Sequence, residues 1–329
     1  MTTARSKQVC LEQTPWYHVT TRCVRRAFIC GYDSLSQRDF THRKQWIEDR
    51  LLFLARSFCI DIAAFAVMSN HYHVVLKINH EQALALDDSA VIERWTQLYP
   101  TNALIKRLSA NEPLSDEEAQ RLNEKLPIWR TELANISRFM ALVNQFIARK
   151  SNTEDGCKGR FWEHRFTSQA ILDDDALLRT LAYVDLNPVR AGIAETPEAS
   201  EHTSIQRRIH FDREESGSVT GLLPFSPRSV EEQVNQAGHA SVLPISFDDY
   251  LALLDWTGRQ LRTDKSGYIQ VDLPEIFVRL NYSPEQWIKS HQPSITWQQR
   301  ALGSVEHILD YCDALKRRWI WQAADHEIC

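Results

Sequence analysis

Residues 59–78 read Cys59-Ile-Asp-Ile-Ala-Ala-Phe-Ala-Val-Met68, then Ser69-Asn70, then His71-Tyr-His-Val-Val-Leu-Lys-Ile78. The first block is a largely apolar run, suited to a central strand. The last block, rich in aromatic and β-branched residues, predicts a second strand, and Ser69-Asn70 a tight turn that pairs the two as a hairpin. Strand side chains alternate between faces, so His71 and His73 share one face while Tyr72 points to the other, toward a core. Two neutral imidazoles side by side can hold a divalent cation. The competing explanation is that one histidine is simply buried and bonded to backbone.

Working outward, residues 16–23 predict a strand. Residues 36–58 predict a helix that buries Ile47, Leu51, Leu54 and Phe58 at spacings of three and four. Beyond the hairpin, 81–130 reads as an inserted helical region with a capping box at Ser115 and Glu118. A helix is expected from Thr131 to Lys150, with Ile136, Phe139, Met140, Val143 and Ile147 on one face. Gly156 and Gly159 bracket a loop, and 160–171 predicts another strand. Asp173 or Asp174 caps a helix running to about Asn187, where Pro188 disfavours helical geometry. The order strand, helix, strand, strand, helix, strand, helix predicts an α+β fold, a ferredoxin-like sandwich with a mainly antiparallel sheet, over residues 14–208. Residues 209–228 are polar and read as a linker. Residues 229–329 read as a mostly helical C-terminal accessory domain, with Asp248–Leu261 as one helix and Ser283-Pro284-Glu285 as the start of another.

Composition sets the outer limits. The 329 residues are 43% hydrophobic and 25% charged, as in ordinary globular chains. No apolar run approaches the roughly 18 residues of a membrane helix, and the first residues carry no secretory pattern. The expectation is therefore a soluble cytoplasmic protein with no membrane partner. The seven cysteines are irregularly spaced and read as reduced thiols, not a structural zinc site. A net charge of −5 argues against nucleic acid if taken as a sum, but its distribution is uneven. Basic residues gather at Arg22, Arg25 and Arg26, then Arg43 and Lys44, and again around Arg149, Lys150, Lys158, Arg160 and Arg165. From charge alone the plainer explanation is a set of solvated faces.

Tyr183 and Asn187 stand four apart, on one face of the expected helix. Each has an ordinary explanation, a core aromatic and a helix-ending residue. Met68-Ser-Asn-His-Tyr-His-Val-Val75, Arg160-Phe-Trp-Glu-His-Arg-Phe166 and Tyr183-Val-Asp-Leu-Asn-Pro-Val-Arg-Ala-Gly192 nevertheless occur in that order. Together with Tyr17-His-Val-Thr-Thr-Arg22, they closely resemble the HUH single-tyrosine transposases, in particular the REP-associated tyrosine transposase branch. The resemblance spans roughly residues 14 to 195.

The resemblance implies an HUH endonuclease fold and a metal-dependent DNA strand transferase acting on single-stranded DNA hairpins. It implies Mg²⁺ or Mn²⁺ held by His71, His73 and Asn187, and Tyr183 as a nucleophile that forms a 5′-phosphotyrosine link. Arg22, Arg25, Arg160 and Arg165 are candidates for phosphate contacts, and Trp162 with Phe161 for base stacking, packing in the sheet being the alternative for the two rings. Arg179 and Asn187 flank Tyr183 where paired-tyrosine relatives carry a second tyrosine, which fits the single-tyrosine class. A monomer or homodimer is expected. The insertion at 81–130 and the C-terminal region depart from the smallest relatives. Two rivals stand beside the transposase: a domesticated protein that binds hairpin repeats without moving DNA, and a metal-dependent phosphodiesterase that uses water.

Overall fold

The computed structural model describes residues 9–24, 30–33, 37–99, 102–110, 112–213, 221–226, 242–261, 277–278, 283–290 and 300–316. In chain order the elements are β1 (Trp16–Arg22), β2 (Tyr32–Asp33), β3 (Arg38–Asp39), α1 (His42–Ser57), β4 (Ile60–Val67), β5 (His71–Ile78), α2 (His80–Ala85), α3 (Asp88–Leu98), α4 (Ala103–Ser109), α5 (Asp116–Glu132), α6 (Ile136–Glu154), β6 (Thr167–Ile171), α7 (Asp174–Asp185), α8 (Asn187–Arg190), α9 (Ser204–Arg213), α10 (Phe247–Leu261), α11 (Pro284–Ser290), β7 (Ala301–Leu302) and α12 (Val305–Ala314). The fold is α+β, around a mixed, mainly antiparallel five-stranded sheet in the order β4-β5-β1-β6-β7. The β6–β7 pair is parallel and the other pairs are antiparallel.

The hairpin forms as its sequence predicts. The Met68 N–H donates to the His71 carbonyl at 2.8 Å, so Ser69 and Asn70 make a two-residue turn. Gly31 lies hard against that turn: a β-carbon there would stand 2.5 Å from the Ser69 hydroxyl, so only glycine fits. Alternation along β5 then sorts its side chains. Tyr72, Val74 and Leu76 enter a core with Tyr17, Val19 and the inner faces of α1 and α6, among them Ile47, Leu51, Phe139, Val143 and Ile147. Val75 enters a second core on the opposite face, with α7 and α10. The result is helix, sheet, helix, with His71 and His73 on the α7 side.

Several boundaries differ from expectation. Residues 37–41 are not helical: Arg38 and Asp39 form a strand, and the Asp39 carboxylate accepts from both the N–H (2.8 Å) and hydroxyl (2.6 Å) of Thr41. This Asx-type turn delays α1 to His42. The expected helix from Thr131 is divided by Asn135, whose side chain caps Ser137 and Arg138 and starts α6. Only Thr167–Ile171 of the expected strand 160–171 is regular. Residues before it hold on to Cys23 and Val24 through an isolated bridge at Trp162 and a Val24 N–H to Phe161 carbonyl bond of 3.0 Å. The capping box at Ser115 and Glu118 and the Asp173 cap of α7 are present.

The region after residue 208 is closely joined to the sheet. α9 crosses that boundary, and the Leu223 N–H donates to the Ile62 carbonyl at 2.8 Å. β7, absent from the sequence reading, extends the sheet beside β6. Among the described residues no helix is long and apolar enough to cross a membrane.

Candidate active site

β5 and α7 bring His71, His73 and Tyr183 together, and Asn187 is buried in α8 just beyond. Antiparallel register sets Thr20 opposite His73 and Arg22 opposite His71. The His71 and His73 ring centroids are 5.0 Å apart, and the Tyr183 ring meets His73 edge-on at 5.7 Å. Tyr183 and Asn187 are each 4% exposed. The Tyr183 hydroxyl and the Asn187 amide nitrogen are buried and make no hydrogen bond. An amide is easily viewed with its oxygen and nitrogen exchanged, so Asn187 can equally present its carbonyl oxygen to the site.

The imidazoles are oriented from behind. His71 Nδ1 lies 2.6 Å from the Asn70 side-chain oxygen, an acceptor, so Nδ1 carries the proton and the buried Nε2 carries the lone pair. His73 Nδ1 lies 2.9 Å from His18 Nε2, and His18 Nδ1 lies 2.6 Å from the Gln169 side-chain oxygen. Gln169 accepts from His18 Nδ1–H, His18 Nε2 accepts from His73 Nδ1–H, and His73 Nε2 is left with its lone pair. Supporting bonds of this kind fix the tautomer of metal-binding histidines.

Burial pushes His18 and His71 down to about 4, with Arg22 and Arg190 adding to the effect at His71. His73 is held well below the usual range by burial first, then by His71, His18, Arg190 and Arg22. All three rings are therefore neutral at physiological pH, the form that ligates metal. Among the described residues no group of three or more His, Cys, Asp or Glu side chains could hold a metal ion. The set here is two imidazoles and one amide. Two imidazoles on one face of the sheet are donors of the kind that hold a divalent ion, and an amide oxygen is a further donor of that kind.

The structure also gives positions to the remaining candidates. Arg22 adjoins His71 in the sheet register, Arg160 and Arg165 are exposed in the segment before β6, and Arg25 lies outside the described residues. Trp162 stands away from the site: its ring packs on Tyr72 at 5.7 Å and its Nε1–H donates to the Asn144 carbonyl at 2.9 Å, on the α6 side of the sheet. His164 is exposed.

Three site residues were not singled out from sequence: His18, Gln169 and Arg190. The Arg190 guanidinium lies 3.9 Å from the Tyr183 ring centroid. His18 had a readable signal, because Tyr17, Val19 and Thr21 alternate with His18, Thr20 and Arg22. That alternation marks a polar face of the strand.

No family model and no curated protein matches this chain. A solved structure described as a REP-associated tyrosine transposase bound to a REP hairpin is similar to it, at 14% identity and a TM-score of 0.35, covering 65% of this chain and 94% of that one.

Proposed function

We propose that the chain is a metal-dependent enzyme that cuts and rejoins single-stranded, hairpin-bearing DNA with Tyr183 as nucleophile. The observation that carries this reading is the Tyr183 ring set edge-on against His73, beside His71, with the Tyr183 hydroxyl and the Asn187 amide nitrogen buried and making no hydrogen bond. A core tyrosine would be expected to spend its hydroxyl on a partner. The strand order β4-β5-β1-β6, with α1 and α6 on one face, supports the ferredoxin-like plan and the HUH-type assignment suggested by the motifs.

His71 Nε2, His73 Nε2 and the Asn187 amide oxygen would hold Mg²⁺ or Mn²⁺. Such an ion, when bound, neutralises a phosphate oxygen and makes phosphorus easier to attack. The Tyr183 hydroxyl gives up its proton as its oxygen attacks phosphorus, the bond to the 3′ oxygen breaks, and that oxygen takes up a proton and leaves as a hydroxyl. The 5′ phosphate stays on tyrosine. A phenol is a better leaving group than an alcohol, so a DNA 3′ hydroxyl can reverse the step and join strands without a nucleotide cofactor. Arg190, stacked on the Tyr183 ring, and Arg22 supply fixed positive charge where phosphate charge would lie.

A second reading, hairpin binding without strand transfer, holds if no phosphate reaches the Tyr183 hydroxyl. One assay separates them. Labelled hairpin oligonucleotides from DNA flanking the gene are mixed with protein and Mn²⁺ and run on a denaturing gel. A metal-dependent covalent adduct, absent from Tyr183→Phe and His71→Ala, is expected. Hairpin binding with no adduct in the wild-type chain would overturn the enzyme in favour of the binder, and a product cut without any adduct would point to hydrolysis by water.

A further inference from the structure

We propose that the groove between α1 and α6, across the sheet from Tyr183, is a second binding site that holds a segment of unpaired DNA. The open groove has a volume of about 910 Å³. Trp46 and Arg50 line it one turn apart on α1, and Phe146, Arg149 and Lys150 line it from α6. Tyr99, which follows α3, lines it as well, so the helical insertion contributes part of the wall.

Cations and rings interleave along this groove. The Lys150 ammonium lies 4.0 Å from the Trp46 ring centroid and 5.8 Å from that of Phe146. The Arg50 guanidinium lies 4.9 Å from the Phe146 centroid. Phe146 is 38% exposed, with Arg149 and Lys150 exposed beside it. The acid lining the groove, Glu154, is already engaged by Arg43 at 2.8 Å and His42 at 2.7 Å. A chain of net charge −5 thus gathers three cations and three aromatic rings around an acid whose charge is answered.

Ligand chemistry follows from that pairing. Flat apolar faces spaced along an anionic backbone satisfy both the rings and the cations. Duplex DNA hides its base faces, and an apolar peptide leaves the cations unused. A single strand offers both groups, with bases to stack and phosphates to pair. The choice of DNA as the strand rests on the reading of the Tyr183 site.

The test uses the full chain and a fluorescent, unstructured oligothymidylate of about twelve nucleotides, within the span of one such site. Binding is followed by anisotropy over a range of salt. Phe146→Ala should weaken binding roughly tenfold, the stacking of about one base, and Phe146→Trp should retain it. Arg149→Gln combined with Lys150→Gln should flatten the slope of log affinity against log salt by about 0.7 for each phosphate left without its cation. These side chains are exposed, and unchanged far-UV spectra would verify the fold of each variant. Wild-type affinity and slope in both variants would overturn the proposal. So would tighter binding of the matching oligouridylate, or a dimer in sedimentation that Phe146→Ala dissolves. Failure of adduct formation with this binding intact would sink the catalytic reading alone, and adduct formation with no effect of the groove variants would sink the groove alone.

Discussion

His73 has two neighbours at Nδ1, the His18 ring at 2.9 Å and the Thr20 hydroxyl at 3.2 Å, and they are not equivalent. A hydroxyl can donate or accept. If Thr20 donates, the His73 proton moves to Nε2 and the atom turned toward the candidate metal loses its lone pair. His18, committed through Nδ1 to Gln169, can only accept at Nε2 and so keeps the proton on His73 Nδ1. His18→Ala should therefore weaken Mn²⁺ binding by about 10- to 100-fold, the usual cost of losing an outer partner, while Thr20→Val should change it little. Titration of Mn²⁺ followed by electron spin resonance would decide this, and unaltered affinity in His18→Ala would reduce that ring to packing. Motifs pointed to His71, His73, Tyr183 and Asn187. His18 stood inside a strand that the sequence predicts, but its partners could not be found by periodicity. Gln169 is 151 residues away, and only the register of β1 against β5 and β6 brings the three side chains together.

α7 carries the candidate nucleophile, and its setting is unusual for a helix of twelve residues: Leu177, Leu178, Leu181, Tyr183, Val184 and Asp185 are all buried. A helix apolar around its circumference lies between layers, here the sheet and α10. Asp185 ties these layers together. Its carboxylate accepts from the Ser204 hydroxyl at 2.5 Å, the Ile205 N–H at 3.1 Å and the Tyr250 hydroxyl at 2.7 Å. Burial pushes Asp185 up to about 6, with Ser204 and Tyr250 pulling in the opposite direction. The folded value exceeds that of an unfolded aspartate, so the folded state binds more protons between about pH 4 and 6 and loses stability as pH rises through that window. Above it the carboxylate is charged and depends most on its donors. Tyr250→Phe should then cost about 2 kcal/mol at pH 7.5, as for a hydrogen bond to a charged group, and about 1 kcal/mol at pH 5. Urea titrations at the two pH values would test this, and an equal cost at both would mean that Asp185 does not change charge between them. The sequence made the ends of this helix legible, through the Asp173 cap and Pro188. Burial on both sides was not, because the outer layer comes from residues more than sixty positions further on.

On the scale of the whole molecule, the C-terminal region would be expected to fold on its own if it were an accessory domain behind a linker. Its packing argues for shared stability. Tyr250, Leu253, Leu254 and Trp256 of α10 share one core with Leu177, Leu181 and Tyr183 of α7. At the other end of α7 the Asp173 carboxylate caps Ala176 at 2.8 Å through one oxygen and accepts from the Ser304 N–H at 2.7 Å through the other, so the start of α12 is fastened to the start of the helix that bears Tyr183. The composition of 209–228 could not reveal this packing, and residues 214–220 and 227–228 of that stretch lie outside the described residues. Burying a large apolar side chain contributes about 1.5–3 kcal/mol, and whole domains are stable by only about 5–15 kcal/mol. Removing residues 214–329 strips several such side chains at once and exposes the apolar back of α7. The full chain should therefore unfold in guanidinium in one transition, with far-UV circular dichroism and tryptophan fluorescence coinciding, and a chain ending at Arg213 should lack a cooperative transition. A truncated chain that melts cooperatively and still forms the Tyr183 adduct would establish an independent catalytic domain and show that the shared core is dispensable.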